Sequence, residues 1–198
     1  MKRFKCGLLL MLVLAFGVAN ASTAAAVQFH SEAETTKITG SQTTTAKYTS
    51  TAGEITCEKA TYTGTVVGKT VSSVRLAGTV SGCHIIIFGS TISATVSQNG
   101  CEGIAYANGE GEMVCPEGKN VVVTASGCTI TIPPQKNMGA KYTNVENHIS
   151  VSGSASGISY SHSGFTCGTG SGTNGTISGS STAKGTNTAG VPVRIWVE

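Results

Sequence analysis

Three histidines and one glutamate are the candidates in this chain for binding a metal ion or transferring a proton. His30 and Glu32 are two positions apart, so on a β-strand the imidazole and the carboxylate face the same side. With His148 or His162 brought close by folding, they would form a ligand set that can hold zinc. The simpler interpretation is a surface histidine and glutamate near the start of the mature chain. We therefore predict no metal and no cofactor, and keep these four residues as the candidates for a metal site.

The other acidic residues give little support to an enzyme. All ten acidic residues are glutamates, which removes the aspartates usual in calcium loops and in aspartate dyads. The sequence has no nucleophile elbow, no zinc-protease motif and no C-x-x-C motif. A hairpin predicted over residues 101–115, with its flank, carries Glu102, Glu110, Glu112 and Glu117. A cation or basic partner could bind there, but such glutamates more often keep an exposed hairpin soluble.

Cysteine usage predicts three disulfides. Seven cysteines are present, and Cys6 lies in a basic and apolar leader, which leaves six in an exported chain. Residues 79–87 recur as residues 124–132, each with a Gly-Cys turn and alternating apolar residues, and residues 48–68 resemble residues 160–179. Equivalent cysteines should form equivalent bonds. The predicted pairs are Cys57 with Cys83, Cys128 with Cys167, and Cys101 with Cys115.

The start of the chain is typical of a signal peptide. Residues 1–5 are basic, residues 6–18 are apolar, and residues 19–21 read Ala-Asn-Ala, a small-residue cleavage site. We predict a signal peptide over 1–21, a secreted mature chain over 22–198, and no transmembrane segment. Three of the 13 basic residues leave with the leader, so ten of each sign remain and the mature chain has no net charge. Nucleic acid is therefore not an expected partner.

Composition predicts an all-β fold. Leu76 is the one leucine after the leader, whereas valine, isoleucine and threonine recur throughout, and β-branched residues favour strands. Many short strands with glycine-rich turns indicate an antiparallel β-sandwich or sandwich-like barrel with an internal pseudo-repeat. We predict a single domain over 22–198, with a division near residue 116 as the alternative.

Several segments allow finer predictions. In the 101–115 hairpin, a three-residue loop ending in a left-handed Gly109 would place Cys101 opposite Cys115. Strands are expected over 72–80 and 84–88, separated by a Gly-Cys turn. The small polar residues of 168–190 favour exposed hairpins, with a strand over 173–184, although a linker is possible. Residues 191–198 alternate as one half-buried strand, with Val191, Val193, Ile195 and Val197 on one face and a proline typical of an edge or a first position.

Some sequence patterns carry a resemblance to other proteins. These are the signal peptide, the Gly-Cys turns and the segments FHSE (29–32), ITGSQ (38–42), CTITIP (128–133) and RIWVE (194–198). With them, the chain resembles a group of small secreted Cys-, Thr- and Gly-rich β proteins of soil actinobacteria. The resemblance implies export and carries over no activity.

Three functions are compatible with these observations. We expect a non-enzymatic secreted protein that binds or coats, with a cell-wall glycan or another secreted protein as partner. A secreted hydrolase or metal-dependent enzyme that uses dispersed His and Glu residues is the alternative. A small inhibitor or ligand-carrying barrel comes third and would need an apolar cavity.

Overall fold

The computed structural model describes residues 26–198, so the predicted signal peptide and its cleavage site lie outside the described residues. Within them the chain forms strands, turns and loops, and no helix is long and apolar enough to cross a membrane. The strands are β1 (Phe29–Ser31), β2 (Thr35–Gln42), β3 (Ala46–Ser50), β4 (Gly53–Val67), β5 (Thr70–Val71), β6 (Ser73–Ile87), β7 (Ser90–Ser97), β8 (Glu102–Tyr106), β9 (Gly111–Val114), β10 (Val121–Ala125), β11 (Cys128–Ile132), β12 (Gly139–Val145), β13 (His148–Ser163), β14 (Gly170–Thr186), β15 (Pro192–Val193) and β16 (Ile195–Val197). The prediction of an all-β fold is confirmed.

The main sheet closes on itself twice. The first circuit runs β4-β3-β14-β13-β11-β10-β7-β6 and returns to β4. The second uses β14, β2, β4, β6, β8 and β9 on one side and β13 and β12 on the other. Backbone hydrogen bonds between residues 109–113 and 135–140 join its two open ends. All named strand pairs are antiparallel, and each circuit contains strands from both sides of residue 116. The sandwich-like barrel is therefore also confirmed.

Each circuit encloses its own apolar core, because side chains on one face of a strand point to the same side. The first core centres on the fully buried Ile85 and Ile130. The second contains Phe29, Ile149 and Ile195. The long strands β4, β6, β13 and β14 cross both circuits and contribute residues to each.

The long strands serve two cores by changing which face they bury. In β6 the inward residues have even numbers up to Val80 and odd numbers from Cys83 onward. Gly82, with φ 61°, lies at the change. In β13 the same change occurs at Gly157, with φ 76°. A left-handed φ is accessible to glycine at little cost, so one such residue reverses the inward face without ending the strand.

This geometry corrects one prediction about the internal repeat. A turn was predicted at both Gly-Cys sites, but Gly82 lies inside β6, so the strands expected over 72–80 and 84–88 are one strand. The reason is that β4 runs past Gly82 without a break. Cys57 of β4 pairs with Cys83 on one side of this glycine, and Lys59 pairs with Ser81 on the other. Gly127, with φ 71°, does form a turn, between β10 and β11.

The three disulfides join the pairs predicted from the internal similarity. Cys57 and Cys83 are directly opposed on β4 and β6, with Cα atoms 4.0 Å apart. Cys101 and Cys115 close the β8–β9 hairpin, whose register and left-handed Gly109 (φ 90°) confirm the three-residue loop. Cys128 at the start of β11 is bonded to Cys167 in the loop after β13. The three bonds together therefore cross-link strands and loops of both circuits.

Two further predictions are wrong. Residues 168–190 were expected to form exposed hairpins around a strand over 173–184. The strand is present as part of β14, but residues 170–186 form this single strand instead of hairpins, since β13 lies on one side and β2 and β3 on the other to satisfy its backbone. The strand expected over 191–198 is interrupted at Arg194, where the chain leaves β14 and pairs with β1. Val191 is consequently 54% exposed, although Pro192 does occupy the first position of an edge strand.

Candidate ligand cavity

A cavity of about 500 Å³ lies between the two cores. Small-molecule sites in proteins typically have volumes of roughly 300–1,000 Å³ and mostly apolar walls. The walls here are formed largely by branched aliphatic side chains of both circuits, namely Leu76, Val80, Val96, Val123, Ile132 and Ile158. In size and lining, the cavity matches a site for a small organic molecule.

The cavity exists because small residues occupy inward positions of the surrounding strands. Gly78, Gly103, Ala105 and Ala140 all line it. A Cβ atom added at Gly103 would have no non-adjacent heavy atom closer than 3.9 Å, the carbonyl oxygen of Leu76. Protein interiors are normally filled to crystal-like density. The open space therefore follows from residue size at these positions.

A second, smaller cavity of about 180 Å³ lies within the second core. Both cavities are lined by the same five residues, which form the wall between them: Tyr62, Leu76, Ala105, Ala140 and Tyr142. The two spaces are therefore adjacent and separated by two phenol rings and three aliphatic side chains.

The phenols at this wall lie in a medium that disfavours charge. Burial, with a smaller contribution from the nearby Tyr62, raises the pKa of Tyr142 to about 12. The Tyr142 hydroxyl is buried and has no hydrogen-bond partner among the described residues. Tyr62 forms a 2.9 Å hydrogen bond with Ser181, and its pKa is also raised by burial. A charged group placed beside this wall would lose its hydration without an opposite charge to compensate.

The cavity is lined by two glutamines with different surroundings. Gln135 is buried, and its side chain donates to the carbonyls of Pro133 and Ser159 and accepts from the Ser159 amide at 3.0 Å. Gln98 directly follows β7 and lies two residues after Val96, and both are half-buried whereas Ser97 between them is exposed. Its amide lies against Gly78, where an added Cβ would be 3.3 Å from Nε2, and it forms no hydrogen bond to another described residue. Gln98 therefore supplies an amide with free donors and acceptors.

The charged residues around the cavity already have polar partners. Lys47 pairs with Glu54 at 2.5 Å, and Glu102 pairs with Arg75 at 2.8 Å. On the same hairpin, two further carboxylates accept hydrogen bonds from neighbouring side chains, Glu110 from Asn108 and Glu112 from Tyr106. The acidic residues of the hairpin thus form local contacts, and Glu117 is exposed beyond it.

The candidate metal ligands do not come together. His30 stacks on Trp196 with ring centroids 5.1 Å apart. Glu32 accepts a 3.1 Å hydrogen bond from the Arg194 amide and shares a surface depression with His148. His162 stacks on Tyr160 at the opposite end of β13.

The shared depression has the wrong charge for a cation. Lys184 and Arg194 line it together with Glu32 and His148. Across residues 26–198, no three His, Cys, Asp or Glu side chains are grouped so as to hold a metal ion.

Comparisons with protein-family models, with curated proteins and with solved structures find no match to this chain.

Neither the cavity nor the role of Gln98 in it was predicted from the sequence. The available signal was small residues at alternate positions of a strand, such as Gly103 and Ala105, but it becomes meaningful only when the inward face is known.

Proposed function

We propose that the chain is an exported, non-enzymatic binding protein that holds a small and largely apolar molecule inside its β-fold. The observation that carries this proposal is the 500 Å³ cavity with its aliphatic walls. An apolar ligand that enters such a space removes apolar surface from water on both partners, and each buried Å² contributes roughly 25 cal/mol.

Export supports the same assignment. Three disulfides are typical of proteins that work in an oxidising environment. The leader predicted over residues 1–21 would direct the chain there. A carrier outside the cell needs an interior that stays shaped without its ligand, and cross-links at three places stabilise the walls of this one.

The direct test is titration of the oxidised protein with N-phenyl-1-naphthylamine, a neutral dye that fluoresces in apolar surroundings. Saturable enhancement with one dye per chain is the expected result. Gly103→Leu places a side chain in the cavity and should weaken the binding of the dye. Thr95→Leu adds the same side chain on the exposed face of β7 and should leave it unchanged.

Two results would overturn the proposal. One is a signal that does not saturate, since surface adsorption behaves that way. The other is equal dye binding by Gly103→Leu and by the unmodified protein, since the dye would then lie elsewhere.

A further inference from the structure

We propose that the ligand is a mainly apolar molecule without an anionic group, that it carries one group that both donates and accepts hydrogen bonds, and that Gln98 recognises this group. The inference rests on the proposed function and adds the ligand's chemistry to it. A primary carboxamide is the closest match, since two amides can pair through one donor and one acceptor each.

Gln98 differs from the other polar groups of the cavity in being both unpaired and accessible. The hydroxyls of Tyr48 and Tyr142 also lack a partner among the described residues, but both oxygens are fully buried. The Gln135 amide is committed to Pro133 and Ser159. The Tyr62 hydroxyl is committed to Ser181. The Gln98 amide faces the cavity, forms no hydrogen bond to another described residue, and has room because Gly78 beneath it lacks a side chain.

A polar group in an apolar cavity gives selectivity rather than affinity. A ligand with no hydrogen-bonding group would leave the Gln98 amide without a partner when it displaces water, and an unpaired polar group costs free energy. A ligand with a matching group avoids this cost. The difference expected for one neutral hydrogen-bonding group is about threefold to tenfold in Kd.

Anionic ligands are disfavoured by the lining itself. Lys47, the one cation among the lining residues, is already bonded to Glu54, whereas Glu110 and Glu112 are lining carboxylates whose partners are neutral. An anionic head group would therefore enter without a free counter-charge and beside charges of its own sign, and its desolvation would go uncompensated.

The test is a calorimetric titration with four probes that share one apolar body: 2-naphthamide, 2-acetonaphthone, 2-methylnaphthalene and 2-naphthoate. We expect 2-naphthamide to bind about threefold to tenfold more tightly than 2-methylnaphthalene, and the carboxylate to bind most weakly. In Gln98→Met, which keeps the length of the side chain but removes the amide, 2-naphthamide and 2-methylnaphthalene should bind equally. Because this amide holds no other residue, the variant should unfold at the same urea concentration, which a parallel denaturation curve checks.

The outcomes separate the two proposals. Equal binding of the amide and the hydrocarbon by the unmodified protein overturns the role of Gln98 and leaves the cavity function standing. The same follows if Gln98→Met keeps the preference. Tightest binding of 2-naphthoate overturns the exclusion of anionic ligands. Failure of all four probes to bind, with failure of the neutral dye, overturns the cavity function and the present inference together.

Discussion

Filling the cavity from Gly103 should stabilise the protein. The position has ordinary strand φ, and the nearest non-adjacent atom to an added Cβ is 3.9 Å away. Burying a leucine side chain contributes roughly 1.5–3 kcal/mol, and fixing its rotamer costs about 0.5–1 kcal/mol. Gly103→Leu should therefore raise the free energy of unfolding by about 1–2 kcal/mol.

The measurement is urea denaturation of the oxidised protein, followed by fluorescence of its single tryptophan, Trp196. With a slope of about 2 kcal/mol per molar urea, the midpoint should rise by about 0.5–1 M. A larger gain is not expected, because one side chain cannot fill 500 Å³.

Gly111 provides the matched control on the same hairpin. It also lines the cavity, but a Cβ added there would lie 2.9 Å from the carbonyl oxygen of Met138, which is backbone and cannot move aside easily. Gly111→Leu should therefore lower the midpoint. If Gly103→Leu also lowers it by 0.5 M or more, the space beside Gly103 is not free and the cavity argument is refuted.

Four further predictions follow from other parts of the fold. Replacing Cys101 and Cys115 together by alanine should lower the free energy of unfolding by about 3 kcal/mol, measured in urea, because the bond joins residues 14 positions apart and restricts the unfolded chain. An unchanged urea midpoint would show that the disulfide does not stabilise the hairpin. Tyr142→Phe removes a buried hydroxyl without a partner and should raise stability by up to about 1 kcal/mol, whereas Tyr62→Phe removes a hydrogen bond and should lower it by about the same amount. Because the folded state keeps Tyr142 protonated up to a pKa of about 12, against 10.0 ordinarily, stability should fall as pH rises from 10 to 12, and less steeply in Tyr142→Phe; equal pH profiles would contradict the burial of this phenol. Phe88 is 97% exposed and has a φ of 48° in a two-residue turn, a conformation that asparagine adopts more easily than phenylalanine. Phe88→Asn should therefore raise the free energy of unfolding by about 0.5–1 kcal/mol, measured as a higher melting temperature. An unchanged or lower melting temperature would argue against strain at this position.

Local chemistry was predictable from the sequence. The Asn108-Gly109 pair and the cysteine spacing together determine the register of the β8–β9 hairpin, because one register alone places Cys101 opposite Cys115. Both signals act within 15 residues. No long-range pairing has to be known in advance.

The same sequence was misread where tertiary pairing decides. β14 looks like a chain of turns because Gly, Ser, Thr and Asn dominate it, yet two neighbouring strands satisfy its backbone. Gly82 looks like a turn, but an opposing strand continues past it. In both places the partner strand is distant in sequence, so composition alone could not indicate it.

The interleaving of early and late strands also constrains when the protein can fold. β14 pairs with β2 and β3 from the other end of the chain, and both circuits need it. During synthesis, a nascent polypeptide therefore cannot close either ring until residues 170–186 have emerged, and such distant pairings form slowly. A chain truncated before β14 should accumulate as an unfolded, protease-sensitive product rather than as half of a native molecule.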